Sequence, residues 1–309
     1  MMRDVLTHLR AKRENLKVRA AVVDGIRQFF AGRGYLEVAT PVRIPAPAPE
    51  PHIDAVPSHG WFLQTSPEIA MKRLLAAGYG RIFQVCPCFR LDERGSRHLS
   101  EFTLLEWYAD GADYRNMMAE CEDLVRFVSR RLGRGDRIDF RGQAIDLAGP
   151  WERITVDEAF RKYAGRTAEE ALRTGSFDED IAFSVEPALR KDRPVILYDY
   201  PASQASLARL KETDPSVAER FECYIGGMEL ANAFTELTDP EEQRERFVRD
   251  REERKRAGKT DYPLPESFLE ELHRMPPSSG VALGVDRLVM LFTGAASIDD
   301  VVPFTPEIL

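Results

Sequence analysis

Gly226-Gly227 stands between two largely apolar stretches, Phe221–Ile225 and Met228–Phe234, and this pair constrains the chain more than any other feature. Glycine reaches positive φ without steric cost, and a two-residue hairpin turn asks for it at both central positions, so the pair predicts antiparallel strands on either side. The turn also sets the register. Ile225 is expected opposite Met228 and Tyr224 opposite Glu229, which puts Glu222, Tyr224 and Glu229 on one face, because cross-strand partners and residues two apart share a side. Glu236 has the opposite parity to Glu229 and joins that face only if a β-bulge intervenes, with Ala231-Asn232 as the expected place. A pair of strand glutamates often does no more than face water. Where two carboxylates converge they repel unless a cation sits between them, and Mg2+, which takes carboxylate and phosphate oxygens together, is the natural candidate.

Two further constellations surround polar or glycine-rich segments. Residues 82–90 and 101–108 read as strands around a loop, with Arg90 and Asp92 before it and Phe102, Glu106 and Tyr108 after it. An arginine at a strand end suits bidentate phosphate contact. Phe102, Glu106 and Tyr108 have one parity, so an aromatic, an acid and a phenol share a face able to hold a flat base or an ammonium group. Taken singly, each is as well explained as an ion pair or a core aromatic. In GVALGVDRL (280–288) the small residues at 280, 282 and 284 leave one strand face nearly bare, for a ligand or for tight packing, and Arg287 lies at the start of a helix running to 294, where a phosphate is favoured.

Elsewhere, apolar residues at 16, 20, 23, 26 and 30 predict a helix over 13–31 that stops at Gly32 and Gly34. Ser66-Pro67-Glu68 predicts the start of a helix over 66–77, and a third helix is expected over 113–133. The segment 240–257 carries seven basic and six acidic residues and reads as a solvated helix. Strands joined by hairpins rather than by regular βαβ units predict an α+β fold, an antiparallel β-sheet flanked by helices. Neither common glycine-rich nucleotide loop is present.

The net charge of −8, from 43 basic and 51 acidic residues, argues against broad nucleic-acid binding. The amino terminus lacks a leader's apolar stretch, and no apolar run reaches the roughly 20 residues of a membrane span. Cys86 and Cys88 have no companion pair at zinc spacing, so the four cysteines read as reduced thiols of a cytoplasmic protein.

In this order the three constellations resemble the class II aminoacyl-tRNA synthetases, over nearly the whole chain. Residues 13–41 are similar to motif 1, the dimer interface of that family, 89–108 to motif 2 and 280–292 to motif 3. Within the class the likeness is to lysyl-tRNA synthetase, carried by Ser66-Pro67-Glu68, Arg97-His98, EFTLLEWY (101–108) and ELANAFTELTD (229–239). The resemblance implies a class II fold, a homodimer, and use of ATP and Mg2+. By position it implies Arg90 and Arg287 as catalytic residues, with Arg90 on the α-phosphate and the substrate carboxylate. Phe102 is expected to stack on adenine with Arg287 on its other side, and Asp92, His98, Leu99, Glu229, Leu230 and Gly284 to complete the ATP site. Glu222 and Glu229 are expected to hold the metal. Ser66, Pro67, Glu68, Glu106, Tyr108, Asn232, Glu236 and Ala282 are expected to line the amino-acid site. There Glu68 faces an amino group, Glu106, Tyr108 and Glu236 surround a distal ammonium, and Asn232 lies near the carboxylate.

Departures from lysyl-tRNA synthetase narrow the resemblance. Motif 1 begins within the first turns, which implies one catalytic domain over 1–309 with no anticodon-binding domain. Ala282 and Ala231 replace glycines, and YPASQASLARL (200–210) differs. These features resemble the elongation factor P–(R)-β-lysine ligases, truncated lysyl-tRNA synthetase paralogues that make a β-lysyl adenylate and acylate a lysine of elongation factor P. That implies β-lysine or lysine as substrate and elongation factor P, rather than tRNA, as acceptor. Asp92 stands where that family has glutamate, Leu99-Ser100 where it has Asn-Pro, and Ala233 where it has glycine. Two other readings stay open: a truncated synthetase using α-lysine with tRNA or another acceptor, and a catalytically silent amino-acid sensor.

Overall fold

The computed structural model describes residues 5–309, and the chain divides into two compact units. The first comprises the residues up to Gly111 together with Thr238–Ser278 and Ala282–Leu309; the second comprises Ala112–Leu237 and Ser279–Val281. The first four residues of the amino-terminal stretch, where the sequence lacks a leader's apolar run, lie outside the described residues.

In the first unit a short helix α1 (Val5–Ala11) precedes α2 (Arg13–Ala31), which has the expected bounds. The face α2 buries carries Val22, Ile26, Phe29 and Phe30, so the stripe is rotated slightly from the expected one, with Val22 in place of Val23. Phe30 stacks on Phe83 at 4.8 Å and packs against Trp107 at 5.2 Å. Burying each such side chain contributes roughly 1.5–3 kcal/mol. Helix α3 (Glu68–Ala76) follows, then β1 (Arg81–Phe89) and β2 (Glu101–Asp110), an antiparallel hairpin in which Gln84 faces Glu106 and Cys88 faces Phe102. Leu36–Glu37 joins β1 in parallel.

The second unit opens with α4 (Tyr114–Arg131), whose first turn is closed reciprocally by Asp113 and Asn116. After a small hairpin (Arg137–Phe140 with Gln143–Asp146) and a series of short helical turns come β3 (Val195–Pro201), β4 (Asp214–Ile225) and β5 (Met228–Thr235), with β3–β4 and β4–β5 paired antiparallel. Glu152–Thr155 runs parallel to β3. The sheet elements are therefore mixed rather than purely antiparallel. Both parallel pairings close long crossovers, one through a small three-stranded sheet and α3 and the other through short helical turns, which hairpin signals in a sequence do not reveal.

The chain then forms α5 (Pro240–Arg256), which belongs to the first unit. Strand β6 (Ser278–Gly284) runs directly into α6 (Val285–Thr293). Asp286, in the first turn of α6, is buried, forms an ion pair with Arg19 of α2, and accepts the backbone N–H of Thr103 on β2 at 2.7 Å. Arg19 also donates to Thr103 Oγ1 at 2.6 Å. One carboxylate thus joins α2, β2 and α6.

Candidate active site

The residues expected to meet a nucleotide are gathered where β1 gives way to the loop before β2. The backbone N–H of Arg90 donates to the Ser100 carbonyl at 2.9 Å, closing the loop, and Asp92 turns the chain at a φ of 60°. The guanidinium carbon of Arg90 lies 5.0 Å from the centre of the Phe102 ring, and its Nη1 is 3.6 Å from Glu93 Oε1. Its Nε is buried without a hydrogen-bond partner among the described residues. An unmet charged donor beside an aromatic ring suits an anionic ligand carrying a flat base.

Arg287 donates through Nη2 to His98 Nε2 at 2.6 Å and through Nε to the Arg97 carbonyl at 3.3 Å. Burial, with the nearby Arg287 charge, holds the His98 pKa below the usual histidine range, so the neutral ring can accept that bond. Gly284 caps α6, and a Cβ there would lie in ordinary contact with Arg287, 3.6 Å from its Cδ. Leu99 is buried, and Ala282 and Phe102 both pack against the buried cluster of Cys86, Cys88 and Leu104.

In the same unit, Ser66, Glu68, Glu106 and Tyr108 form one hydrogen-bonded group. The Ser66 hydroxyl oxygen accepts the N–H of Glu68 at 3.0 Å and donates its proton to Glu106 Oε1 at 2.5 Å, while Tyr108 donates to Glu106 Oε2 at 2.8 Å. Pro67, not Ser66, is the last residue before α3, so the serine serves this group as well as the helix start. Burial raises the pKa of Glu106 to about 8, helped by the Glu68 carboxylate and opposed by the two hydroxyls. Glu68 is itself paired, its Oε1 2.6 Å from Nζ of the wholly buried Lys72. Lys72 went unread in the sequence, although a glutamate followed by lysine four residues later on a helix was the available signal.

The acids of the second unit lie on β4 and β5. Gly226 and Gly227 have φ of 61° and 74°, and Tyr224 faces Glu229 as expected. Next, Cys223 pairs with Ala231 and Glu222 with Asn232, leaving Leu230 as the extra residue of a β-bulge just before the expected place. The slip puts Asn232, Phe234 and Glu236 in phase with Glu229. Glu236 is buried and bridges to Ala208. Glu222 accepts from Arg220 Nη2 at 2.7 Å, from Tyr224 at 2.6 Å and from Asn232 Nδ2 at 3.5 Å. Arg220 stands 4.4 Å from the centre of the Tyr200 ring, and the charges of Glu222 and Glu229 both reach it, raising its pKa against the effect of burial. Arg220 was also unread; it lies two residues before Glu222 on the same face.

Among the described residues no three His, Cys, Asp or Glu side chains gather into a metal cluster. Two carboxylates on one face, balanced in part by Arg220, fit an ion such as Mg2+, which keeps waters and completes its shell with substrate phosphates.

Residues 3–307 match the model of the family "tRNA synthetases class II (D, K and N)", and the chain belongs to that family. Within it, the chain is 42% identical to the elongation factor P–(R)-β-lysine ligase of Enterobacter sp. (strain 638), over 95% of each protein. It is 41% identical, again over 95% of each protein, to the proteins of the same name from Edwardsiella ictaluri (strain 93-146) and Erwinia tasmaniensis. No helix among the described residues is long and apolar enough to cross a membrane.

Proposed function

We propose that the chain activates (R)-β-lysine with ATP and transfers the acyl group to a lysine side chain of elongation factor P. One observation carries this reading: 41–42% identity along 95% of the chain to relatives named for that ligation. The buried Glu106 beside Glu68 adds a chemical reason, since a substrate with two ammonium groups favours a site rich in carboxylates.

In the first step a carboxylate oxygen of the amino acid attacks the α-phosphorus of ATP, and the bond to the departing pyrophosphate breaks. In the second, the neutral ε-amine of the acceptor attacks the acyl carbon, AMP leaves, and the new amide nitrogen loses a proton. Arg90 meets the developing charge on the α-phosphate and aligns the carboxylate, Phe102 takes the adenine, and Arg287, held by His98, takes phosphate oxygens. Glu222 and Glu229 would hold Mg2+, which neutralises phosphate charge when bound. Asp92, Leu99, Leu230 and Gly284 complete the nucleotide contacts. Ser66, Pro67, Glu68, Tyr108, Asn232, Glu236 and Ala282 complete those to the amino acid. The reading extends to one catalytic domain, a cytoplasmic location and a homodimer formed through the motif 1 segment.

The test is ATP–pyrophosphate exchange with a panel of lysine isomers, followed by labelled transfer to elongation factor P or tRNA. The expected result is a kcat/KM for (R)-β-lysine at least ~10-fold above that for α-lysine, a margin that pocket shape can supply, with label on the protein acceptor. Exchange with α-lysine alone, or label on tRNA, would overturn the assignment.

A further inference from the structure

Helix α5 reads in sequence as a solvated, charged surface, yet its Arg254 is wholly buried. The guanidinium carbon lies 4.1 Å from the centre of the Tyr262 ring. It donates to the carbonyls of Glu50 and Ile53, each at 2.8 Å, to that of Thr260 at 3.1 Å, and to Asp54 Oδ1 at 2.6 Å. Lys259 adds bonds to the Pro51 carbonyl at 2.8 Å and to Asp54 Oδ2 at 3.0 Å, and the Tyr262 hydroxyl oxygen accepts the N–H of Ala55 at 2.7 Å. Residues 50–55, a proline-containing loop outside any strand, are thereby held along their length. The Asp54 carbonyl in turn accepts the N–H of Leu91 at 2.7 Å. Leu91 lies between Arg90 and the positive-φ turn at Asp92, so this bond fixes the chain as it leaves Arg90.

We propose that Arg254 is a positioning residue for Arg90. By fixing residues 50–55 it fixes Leu91, and through Leu91 the direction from which the Arg90 guanidinium meets a phosphate. Five donors in a rigid fork allow arginine to gather several carbonyls and a carboxylate at once, which lysine cannot reproduce. The inference rests on the reading of Arg90 as a phosphate ligand.

The experiment compares Arg254→Met, Arg254→Lys and Tyr262→Phe in the full chain by ATP–pyrophosphate exchange, with hydrogen exchange read by mass spectrometry. Displacing a phosphate ligand by a fraction of an ångström predicts that Arg254→Met raises KM for ATP ~10-fold or more while KM for the amino acid stays within ~2-fold. Arg254→Lys should recover part of the loss. Peptides spanning 88–94 should exchange faster than in the parent, and those spanning 101–110 should not. An ATP KM within ~2-fold of the parent would overturn the proposal, as would equal rises in both KM values with loosening throughout the unit. Should Arg254→Met not fold, Tyr262→Phe, which removes the Ala55 bond and the hydroxyl's interaction with Arg254 while keeping the ring, decides on the same two readouts. Arg90→Ala separates this inference from the reading beneath it: retained exchange there would remove Arg90 from the phosphate site whatever Arg254 does.

Discussion

Asp286 accepts the backbone N–H of Thr103 through Oδ2 and faces Arg19 through Oδ1, so the residue just before Arg287 is tied to the strand that carries Phe102. Removing the carboxylate leaves a largely buried guanidinium without its charged partner, although it keeps its bond to Thr103 Oγ1, and leaves the Thr103 N–H without its acceptor. Asp286→Ala is expected to lower stability by about 3–5 kcal/mol, read as a lower urea midpoint with unchanged slope. Asp286→Asn, which keeps an acceptor for Thr103, should cost less.

Glu106 gives the site a pH dependence. Its pKa of about 8 in the folded protein stands above its ordinary 4.5, so the folded state holds a proton that the unfolded chain has released. The stability this contributes is complete below about 4.5 and is lost as pH rises through about 8. An ammonium substrate prefers the anion. KM for the amino acid should therefore fall about tenfold per pH unit on approaching pH 8 from below, with proton release on binding measurable by calorimetry in two buffers. Glu106→Gln should flatten that profile and raise KM.

The two turn glycines should differ under substitution. A Cβ on Gly226 would meet Phe140 at 2.9 Å and Ile145 at 3.0 Å, whereas one on Gly227 would meet the flexible Lys191 at 3.2 Å. Both carry the left-handed penalty of about 1–2 kcal/mol, and Gly226→Ala adds a core clash of about 1–3 kcal/mol. Thermal unfolding should rank Gly226→Ala well below Gly227→Ala.

Glu222 and Glu229 should also separate. Glu229→Gln is expected to raise the Mg2+ concentration for half-maximal exchange ~10-fold or more, with a smaller loss of stability than at Glu222, whose charge acts more strongly on Arg220. Glu222→Gln should do the same and also destabilise the fold, because the buried Arg220 loses its charged partner. Equal Mg2+ dependence in both variants and the parent would remove the metal from this face.

Much of this was legible because local rules dominate it. Helix α2 is bounded to the residue by a helical apolar spacing followed by glycines. The Tyr224–Glu229 register follows from a turn that only residues tolerant of positive φ can form. Of the hydrogen-bonded group around Glu106, the parity of one strand placed Glu106 and Tyr108 on one face, resemblance alone added Ser66 and Glu68, and the pairing of Glu68 with Lys72 went unforeseen. Contacts decided at a distance were not legible: Arg254 finds Asp54 across 200 residues, and Asp286 finds Thr103 across 183. The parallel strand pairs stayed hidden for the same reason, since nothing in Leu36-Glu37 names Ile82 as a neighbour.

The bulge at Leu230 makes β5 two segments with independent phase. Upstream of it, side chains answer to the glycine turn; downstream, Asn232, Phe234 and Glu236 answer to the extra residue alone. A single-codon deletion of Leu230 would remove the bulge yet keep Cys223 opposite Ala231 and Glu222 opposite Asn232, so every later position would keep its side. Straightening the strand with no change of length would instead turn Asn232, Phe234 and Glu236 to the opposite face together, so their orientation is held by the local ladder at Leu230 and not by their own identities.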